Sequence, residues 1–157
     1  MPLPQHETRI RPEWIDHNGH MNLACTIVVF DQATDVAFEA LDIGASYRAR
    51  TGCSCFVVET HTLYEREVTV GELVRVTTRL LSAGAKRLHF VHEMRHATDG
   101  TRLALHEILA LHIDMADRRS APWPAATRAV LQAAVAAEAV LAVPQGVGRR
   151  VGQKPRP

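Results

Sequence analysis

The middle of the chain holds four segments in which apolar and polar residues alternate, with turn-forming dipeptides between them. The segments are 53–68, 73–81, 87–96 and 102–114, and the dipeptides are Val70-Gly71, Ala83-Gly84 and Asp99-Gly100. A period of two residues predicts half-buried strands, and Asp-Gly is a strong hairpin signal. Consecutive strands joined by tight turns must pair antiparallel. We therefore expect an antiparallel sheet built on these four segments.

Strict alternation assigns the side chains of the first segment to two faces. One face would carry Phe56, Val58, Thr60, Thr62 and Tyr64, and the other Cys55, Val57, Glu59, His61 and Leu63.

Helical patterns lie on either side of the strand region. In 24–41 the apolar residues recur every three or four positions, which is typical of one helix face: Ile27, Phe30, Ala33 or Thr34, Ala37 or Phe38, and Leu41. An acidic stripe of Asp31, Asp35, Glu39 and Asp42 runs beside it, and Ile43-Gly44 is predicted to end the helix. Pro122 and Pro124 open a second helix that we expect to reach about residue 143, with Val130, Leu131, Val135 and Leu141 on its apolar side.

With a short strand at 8–11, the order is strand, long helix, four strands and a final helix. A single long helix must bury its apolar face, and a twisted antiparallel sheet can wrap around it. We therefore predict an α+β hotdog fold, in which a sheet of about five strands surrounds one central helix and a C-terminal helix lies on the surface. The predicted domain covers 1–143, and 144–157 is a flexible basic tail. Because such a sheet leaves an exposed edge, we expect a homodimer or a dimer of dimers.

Composition narrows the class of protein. Lys and Arg total 18 against 17 Asp and Glu, a net charge of +1, which argues against nucleic acid or an anionic membrane surface as a partner. No apolar run reaches the roughly 18 residues of a membrane span. The N-terminal residues lack the basic and apolar regions of a signal peptide. The cysteine count is odd, at three. Together these features predict a cytoplasmic protein.

One segment carries the chemistry. Asp16-His17-Asn18-Gly19-His20-Met21-Asn22 stands just before the long helix and resembles the active-site loop of hotdog acyl-CoA thioesterases of the 4-hydroxybenzoyl-CoA thioesterase type. Three further pieces make the chain similar to the betainyl-CoA thioesterases of carnitine breakdown: Val57-Val58-Glu59-Thr60-His61, Lys86-Arg87-Leu88-His89 and Leu111-His112-Ile113-Asp114. The resemblance spans roughly residues 9–122.

Thioester hydrolysis needs a carboxylate to attack or to activate water, and donors for the developing oxyanion. Asp16 is the carboxylate of the loop, and Gly19 permits the turn and close approach of the thioester. The resemblance places the oxyanion donor on the backbone amide near Leu23. Asn18, His20 and Asn22 are candidates for orienting Asp16, fixing water or capping the helix. The alternative is that the loop holds ordinary capping and turn residues.

The substrate-binding candidates are spread along the chain. Trp14, Phe56, Tyr64 and Glu59 are aromatic or acidic residues suited to a trimethylammonium group, although each is equally suited to a structural role. Lys86 and Arg87 are candidates for holding the phosphates of coenzyme A, as basic hairpin residues do in related enzymes. Their alternative is a solvated charged turn.

Other constellations carry weaker signals. Cys53 and Cys55, with His92 and His96, have spacings that suit a metal, but nothing in the sequence places the two pairs together. Cys25 has no obvious base partner as a nucleophile. We therefore predict no metal and no cofactor.

These observations favour a thioesterase that hydrolyses a short polar acyl-CoA, with betainyl-CoA as the named substrate and Asp16 as base or nucleophile. Two alternatives remain at this point. A hotdog hydratase or dehydratase would use an Asp–His pair such as Asp16 and His20 and release no free thiol. A non-enzymatic acyl-CoA-binding module would need an effector region.

Overall fold

The structure is a computed structural model that describes residues 2–153. Its elements in chain order are β1 (His6–Arg9), a 3₁₀ turn (Pro12–Trp14), α1 (Leu23–Ala40), α2 (Ala45–Thr51), β2 (Cys53–Tyr64), β3 (Leu73–Ala83), β4 (Arg87–His96), β5 (Arg102–Asp114), β6 (Arg119–Ser120) and α3 (Ala125–Ala137). Within the described residues, no helix is both long and apolar enough to cross a bilayer.

All paired strands are antiparallel, in the order β1-β3-β4-β5-β2, with β6 beside β5. The sheet packs around α1, which confirms the predicted hotdog fold. The arrangement differs from the expected run of hairpins at one step, because β2 pairs with β5 and not with its sequence neighbour β3. The connection after β2 is anchored on β5, where the amides of Glu65 and Arg66 donate to Leu103 O. The turn at Gly71 (φ +82°) instead joins the chain to Ile10 beside β1.

The core lies between α1 and the inner face of the sheet. The buried positions of α1 follow the predicted helical spacing, and Ile27 lies at the margin of that face: Thr26, Val29, Phe30, Ala33, Thr34, Ala37 and Phe38. Asp31, Asp35 and Glu39 are exposed, as the acidic stripe predicted. One end of α1 packs with Val74, Val76 and Met94, and the other with Leu88, Phe90 and Ile108.

The end of α1 differs from the prediction. The helix is capped at Leu41, and Asp42 rather than Gly44 adopts the left-handed conformation (φ 55°). Aspartate tolerates this region because its short side chain bonds locally. Gly44 instead precedes α2, where a Cβ atom would collide with Glu39. The sequence reading missed α2, whose single buried residue is Tyr47.

A bulge in β2 changes the predicted face assignment. The register shifts between Val57, which faces Ala110, and Glu59, which faces Leu109. Opposed residues share a face. Phe56, Glu59, His61 and Leu63 therefore lie on the outer face, whereas Cys55, Val57, Thr60, Thr62 and Tyr64 lie on the helix side. The strand also ends at Tyr64, four residues before the predicted end.

The C-terminal helix ends at Ala137 rather than near residue 143. The Arg79 guanidinium donates to the carbonyls of Glu138, Leu141 and Ala142, at 3.0, 2.7 and 2.7 Å, just after the helix. Leu131 is buried and Val135 partly buried, but Val130 and Leu141 are exposed, so the apolar side is narrower than predicted.

The segment after the helix contacts the outer face of the sheet. Arg102 donates to Gln145 O at 2.9 Å, and the Gly148 amide donates to Glu107 at 2.7 Å. Residues 154–157 of the predicted tail lie outside the described residues. The flexibility of 144–157 stays a prediction.

Candidate active site

The loop between the 3₁₀ turn and α1 is closed by its own backbone. Ile15 and Met21 form a β-bridge, and the Asp16 amide donates to His20 O at 3.2 Å. The Gly19 amide donates back to Asp16 O at 3.0 Å, and Gly19 has a φ of +83°, which favours glycine. The loop is thereby a compact turn that presents its side chains at the start of α1.

Hydrogen bonds hold the Asp16 carboxylate in one orientation. Oδ1 accepts from the Asn18 amide at 2.8 Å, and Oδ2 accepts from the Asn22 side chain at 3.2 Å. The bond from the Asn18 amide is the main cause that lowers the pKa of Asp16, since donors favour the charged form of a carboxyl group. Asp16 is therefore an anion at neutral pH, as a base or a nucleophile requires.

Asn22 joins this carboxylate to α1. It caps the helix, and its Oδ1 accepts from the Ala24 amide at 2.8 Å while its Nδ2 reaches Asp16. The first-turn amides of a helix have no intrahelical acceptor and lie at its positive end. Leu23, the first helical residue, has an exposed fraction of 64%. The arrangement thus brings an anionic carboxylate and the positive end of a helix to the same short stretch of chain.

A cavity of about 370 Å³ opens beside the loop. Its wall comes from the loop, α1, the segment after β2, and the ends of β4 and β5: His20, Met21, Leu23, Thr26, Tyr64, Glu65, Arg66, Glu67, Val68, Met94, Leu103 and Ala104. This volume is within the usual range of small-molecule sites.

Residues 64–69, on the side of the cavity opposite the loop, are hydrogen-bonded to the loop and to the start of α1. The Met21 amide donates to Val68 O at 2.8 Å, the Thr69 hydroxyl to Gly19 O at 3.3 Å, and the Tyr64 hydroxyl to Leu23 O at 3.4 Å. These contacts fix the distance between the two sides of the cavity mouth.

The structure brings only some of the predicted site residues together. Asp16, Asn18, Gly19, His20, Asn22 and Leu23 form one loop, and Tyr64 lies beside it. Trp14 is buried in the core and contacts Arg11 through a cation–π interaction at 5.1 Å, so its ring does not line the cavity.

Four other predicted residues lie elsewhere in the chain. Phe56 is on the outer face of the sheet, with the Arg118 guanidinium 5.7 Å from its ring. Glu59 and Arg87 line a second cavity of about 570 Å³ on that face. Lys86 donates to Ser120 O at 3.1 Å. The β2 bulge is the physical reason that Glu59 and Tyr64 face opposite sides.

The sequence reading missed the segment Glu65-Arg66-Glu67, which lines the cavity. Its charged residues could have indicated that the strand ends before them, because three consecutive charges are unusual within a half-buried strand. The predicted strand ran to Val68 and therefore included these three residues.

Buried histidines lie close to α1 but are not available for catalysis. Thr34 donates its hydroxyl to Phe30 O, so it accepts from His92 Nε2 at 2.8 Å, and Thr78 Oγ1 lies 2.9 Å from His92 Nδ1. Burial lowers the pKa of His92 to about 3 and that of His106 to about 4. Both histidines are therefore neutral structural groups.

The candidate metal ligands are separated. Cys53 and Cys55 are opposed to Asp114 and His112 on β5, whereas His92 is opposed to His106, farther along that strand. Among residues 2–153, no group of three Cys, His, Asp or Glu side chains is placed to hold a metal ion. Cys25 packs against the core cluster around Phe30.

Comparison with known proteins identifies the family of the chain. Residues 10–133 match the family model of the thioesterase-like superfamily. The chain is 38% identical to the betainyl-CoA thioesterase of Pseudomonas aeruginosa over 153 residues, which is 98% of this chain and 96% of that protein. It is 33% identical to an L-carnitine dehydrogenase/betainyl-CoA thioesterase of Rhizobium meliloti over 98% of this chain, and spans 31% of that longer protein.

Solved structures show the same fold. A Staphylococcus aureus protein in complex with CoA superposes with a TM-score of 0.88 at 23% identity, covering 98% of both chains. A proposed thioesterase from Pseudomonas putida KT2440 superposes with a TM-score of 0.82 at 30% identity, covering 98% of this chain and 99% of the other. The chain therefore belongs to the thioesterase-like superfamily, as an acyl-CoA thioesterase with the hotdog fold.

Proposed function

We propose that the enzyme hydrolyses betainyl-CoA to betaine and free CoA. The observation that carries this proposal is the Asp16 carboxylate, which Asn18 and Asn22 hold as an anion at the start of α1, where the neighbouring residues His20 and Leu23 line a small cavity. The 38% identity to a betainyl-CoA thioesterase over nearly the whole chain supports the choice of acyl group.

The reaction uses the two features of the loop. The thioester carbonyl oxygen lies toward the backbone amides near Leu23, which stabilise the negative charge of the tetrahedral intermediate. Asp16 either removes a proton from the attacking water or attacks the carbonyl carbon itself. In both cases the C–S bond breaks, CoA leaves as a thiolate that takes up a proton, and water supplies the oxygen of the product acid. In the second case water hydrolyses a mixed anhydride on Asp16.

The alternative dehydratase chemistry needs an Asp–His pair, and the loop does not form one. His20 Nδ1 lies 3.3 Å from Met21 O, and the Asp16 carboxylate is bonded by Asn18 and Asn22. This arrangement favours hydrolysis over dehydration.

The proposed contacts with CoA also bear on the oligomeric state of the protein. Lys86 and Arg87 are proposed to hold the CoA phosphates, and in one chain they lie away from the catalytic cavity. A homodimer, or a dimer of dimers, would let one copy supply basic groups to the site of another. The edge strand β2 supports such pairing, since Val57 and Val58 on it are about half exposed, at 48% and 52%. The three free cysteines agree with a cytoplasmic location.

A panel of acyl-CoA thioesters with a free-thiol readout tests the substrate. We expect betainyl-CoA to have the highest kcat/KM among betainyl-, acetyl-, butyryl- and benzoyl-CoA. A more than tenfold preference for another member of the panel would overturn the betainyl assignment. Thiol release from none of them would argue against the proposed hydrolysis of short acyl-CoA thioesters.

A further inference from the structure

We infer that Glu67 is the specificity residue that selects a positively charged acyl group. This inference rests on the proposed function and names the carboxylate that would recognise the acyl charge at the cavity already described. It replaces Glu59, which the β2 bulge places on the other face of the sheet.

The cavity has an apolar interior and a charged rim. Its inner wall includes the buried residues Met21, Val68, Met94, Leu103 and Ala104, whereas the charged groups come from the segment Glu65-Arg66-Glu67, with the imidazole of His20 beside them. An apolar interior alone does not offset the loss of hydration of a cation, so the rim must supply the opposite charge.

Glu65 is not the carboxylate available for this role. Both of its oxygens accept from the Arg102 guanidinium, at 2.6 and 2.8 Å, and Arg102 also bonds Glu93 and Gln145 O. A bidentate pair of this kind neutralises Glu65 and fixes the start of the rim on β5.

Glu67 is placed differently. Its carboxylate lies 3.9 Å from His20 Nε2, on the catalytic loop, and its side chain is 78% exposed. The next residue, Val68, accepts the Met21 amide at 2.8 Å, so the position of Glu67 relative to the loop is set by the backbone. The carboxylate therefore lies beside the loop where the thioester reacts, free of a bidentate partner among the described residues.

A quaternary ammonium group has no N–H to donate, so attraction to a carboxylate and to an aromatic face is what can recognise it. Tyr64 supplies the aromatic ring at the same mouth, held by its hydroxyl bond to Leu23 O. Arg66 also lines the rim and opposes a cation. The two neighbouring residues, Arg66 and Glu67, are thus predicted to act on a cationic acyl group with opposite sign.

The test compares betainyl-CoA with 3,3-dimethylbutanoyl-CoA, which has the same shape with carbon in place of the charged nitrogen. The measured quantity is the ratio of their kcat/KM values for the wild type and for Glu67→Gln, Glu67→Lys, Tyr64→Leu and Arg66→Gln. We expect Glu67→Gln to lower the cation preference about threefold to fivefold, the range of a partly exposed charge pair. Glu67→Lys should lower it further, and Arg66→Gln should raise it.

Glu13→Gln is the matched control, because Glu13 is an exposed acid near the loop that does not line the cavity. It should leave the ratio unchanged. An unchanged ratio in both Glu67 variants, in a wild type that prefers the cation, overturns the role of Glu67 and leaves the betainyl proposal intact. A wild type that releases thiol from both substrates without preferring the cation overturns both the role of Glu67 and the betainyl assignment, while thioester hydrolysis stands.

Discussion

Two groups of polar side chains lie beside α1, and their environments give them opposite roles. At its start, exposed hydrogen bonds lower the pKa of Asp16 and keep the carboxylate charged. Under its middle, burial lowers the pKa of His92 and His106 and keeps both imidazoles neutral. Both groups are titratable and both have shifted pKa values, but only Asp16 is accessible to solvent. Solvent access and hydrogen-bonding partners, rather than residue type, therefore separate the candidate catalytic group from the structural ones.

The largest effect is expected for Asp16→Asn, which tests the proposed role of Asp16 as base or nucleophile. The amide keeps the size of the side chain but removes the charge, so we expect kcat to fall by at least about 10², the usual scale for an acid–base group. The melting temperature should stay close to that of the wild type, because the side chain is only partly buried and the asparagine oxygen can still accept from the Asn18 amide. Steady-state thiol release and thermal unfolding measure the two effects.

The control for that variant is Asp31→Asn, an exposed acid on the outer stripe of α1. It should retain wild-type turnover. A folded Asp16→Asn enzyme with nearly normal kcat would contradict the assignment of Asp16 as base or nucleophile.

The two buried histidines predict how the free energy of unfolding depends on pH. The pKa values of His92 and His106, about 3 and about 4 in the folded protein, lie below the ordinary value of 6.5. The unfolded chain therefore binds more protons between these values, so stability is present above pH 6.5 and is lost as the pH falls below it. Between pH 7 and pH 5 we expect a loss of about 2 kcal/mol for each histidine.

Urea unfolding at several pH values measures this loss. The double variant His92→Leu/His106→Leu should flatten the stability profile between pH 7 and pH 5 relative to the wild type. An equally steep profile in the double variant would show that other groups take up the protons.

Removing His92 alone should affect stability and not chemistry. In His92→Leu the Thr78 hydroxyl loses its buried partner, and an unsatisfied buried group typically costs about 1–3 kcal/mol. We expect that loss in the free energy of unfolding, with kcat of the folded enzyme within about twofold because the group does not line the cavity.

His6→Ala is a suitable comparison, since His6 makes one partly exposed hydrogen bond to Gln32. Its effect on stability should be much smaller. A large fall in kcat for His92→Leu at a temperature where the variant is folded would mean that the buried histidines take part in the reaction.

The smallest expected effect is at Lys86 and Arg87, outside both groups. If they hold CoA phosphates, the double Ala variant should raise KM about tenfold, since a hydrogen bond to a charged group contributes about 1.5 kcal/mol. The value of kcat should change little, because phosphate contacts are equally strong in the ground and transition states. An unchanged KM would show that these residues form a solvated charged turn and do not hold the CoA phosphates.

Much of the fold follows from local patterns in the sequence. Strands β3, β4 and β5, the long helix α1 and the loop before it lie within a few residues of their predicted positions. Alternation, helical spacing and turn dipeptides act over ten to fifteen residues, so they are readable without knowing what the chain packs against. The candidate catalytic loop could be identified for the same reason, because Asp16 and Asn22 are close in sequence.

Only the tertiary structure decided which long-range contacts form. The pairing of β2 with β5, the bulge after Val57 and the bidentate hold of Arg102 on Glu65 each join residues far apart in the chain. The bulge places Glu59 and Tyr64 on opposite faces, and the early end of β2 lets Glu67 lie beside His20 of the candidate catalytic loop. The sequence by itself therefore determined the residues of the loop on which the proposed chemistry depends. Which residues lie around the cavity depends on strand register. One extra residue exchanges the two faces of a strand beyond it, and no local sequence pattern shows where that residue occurs.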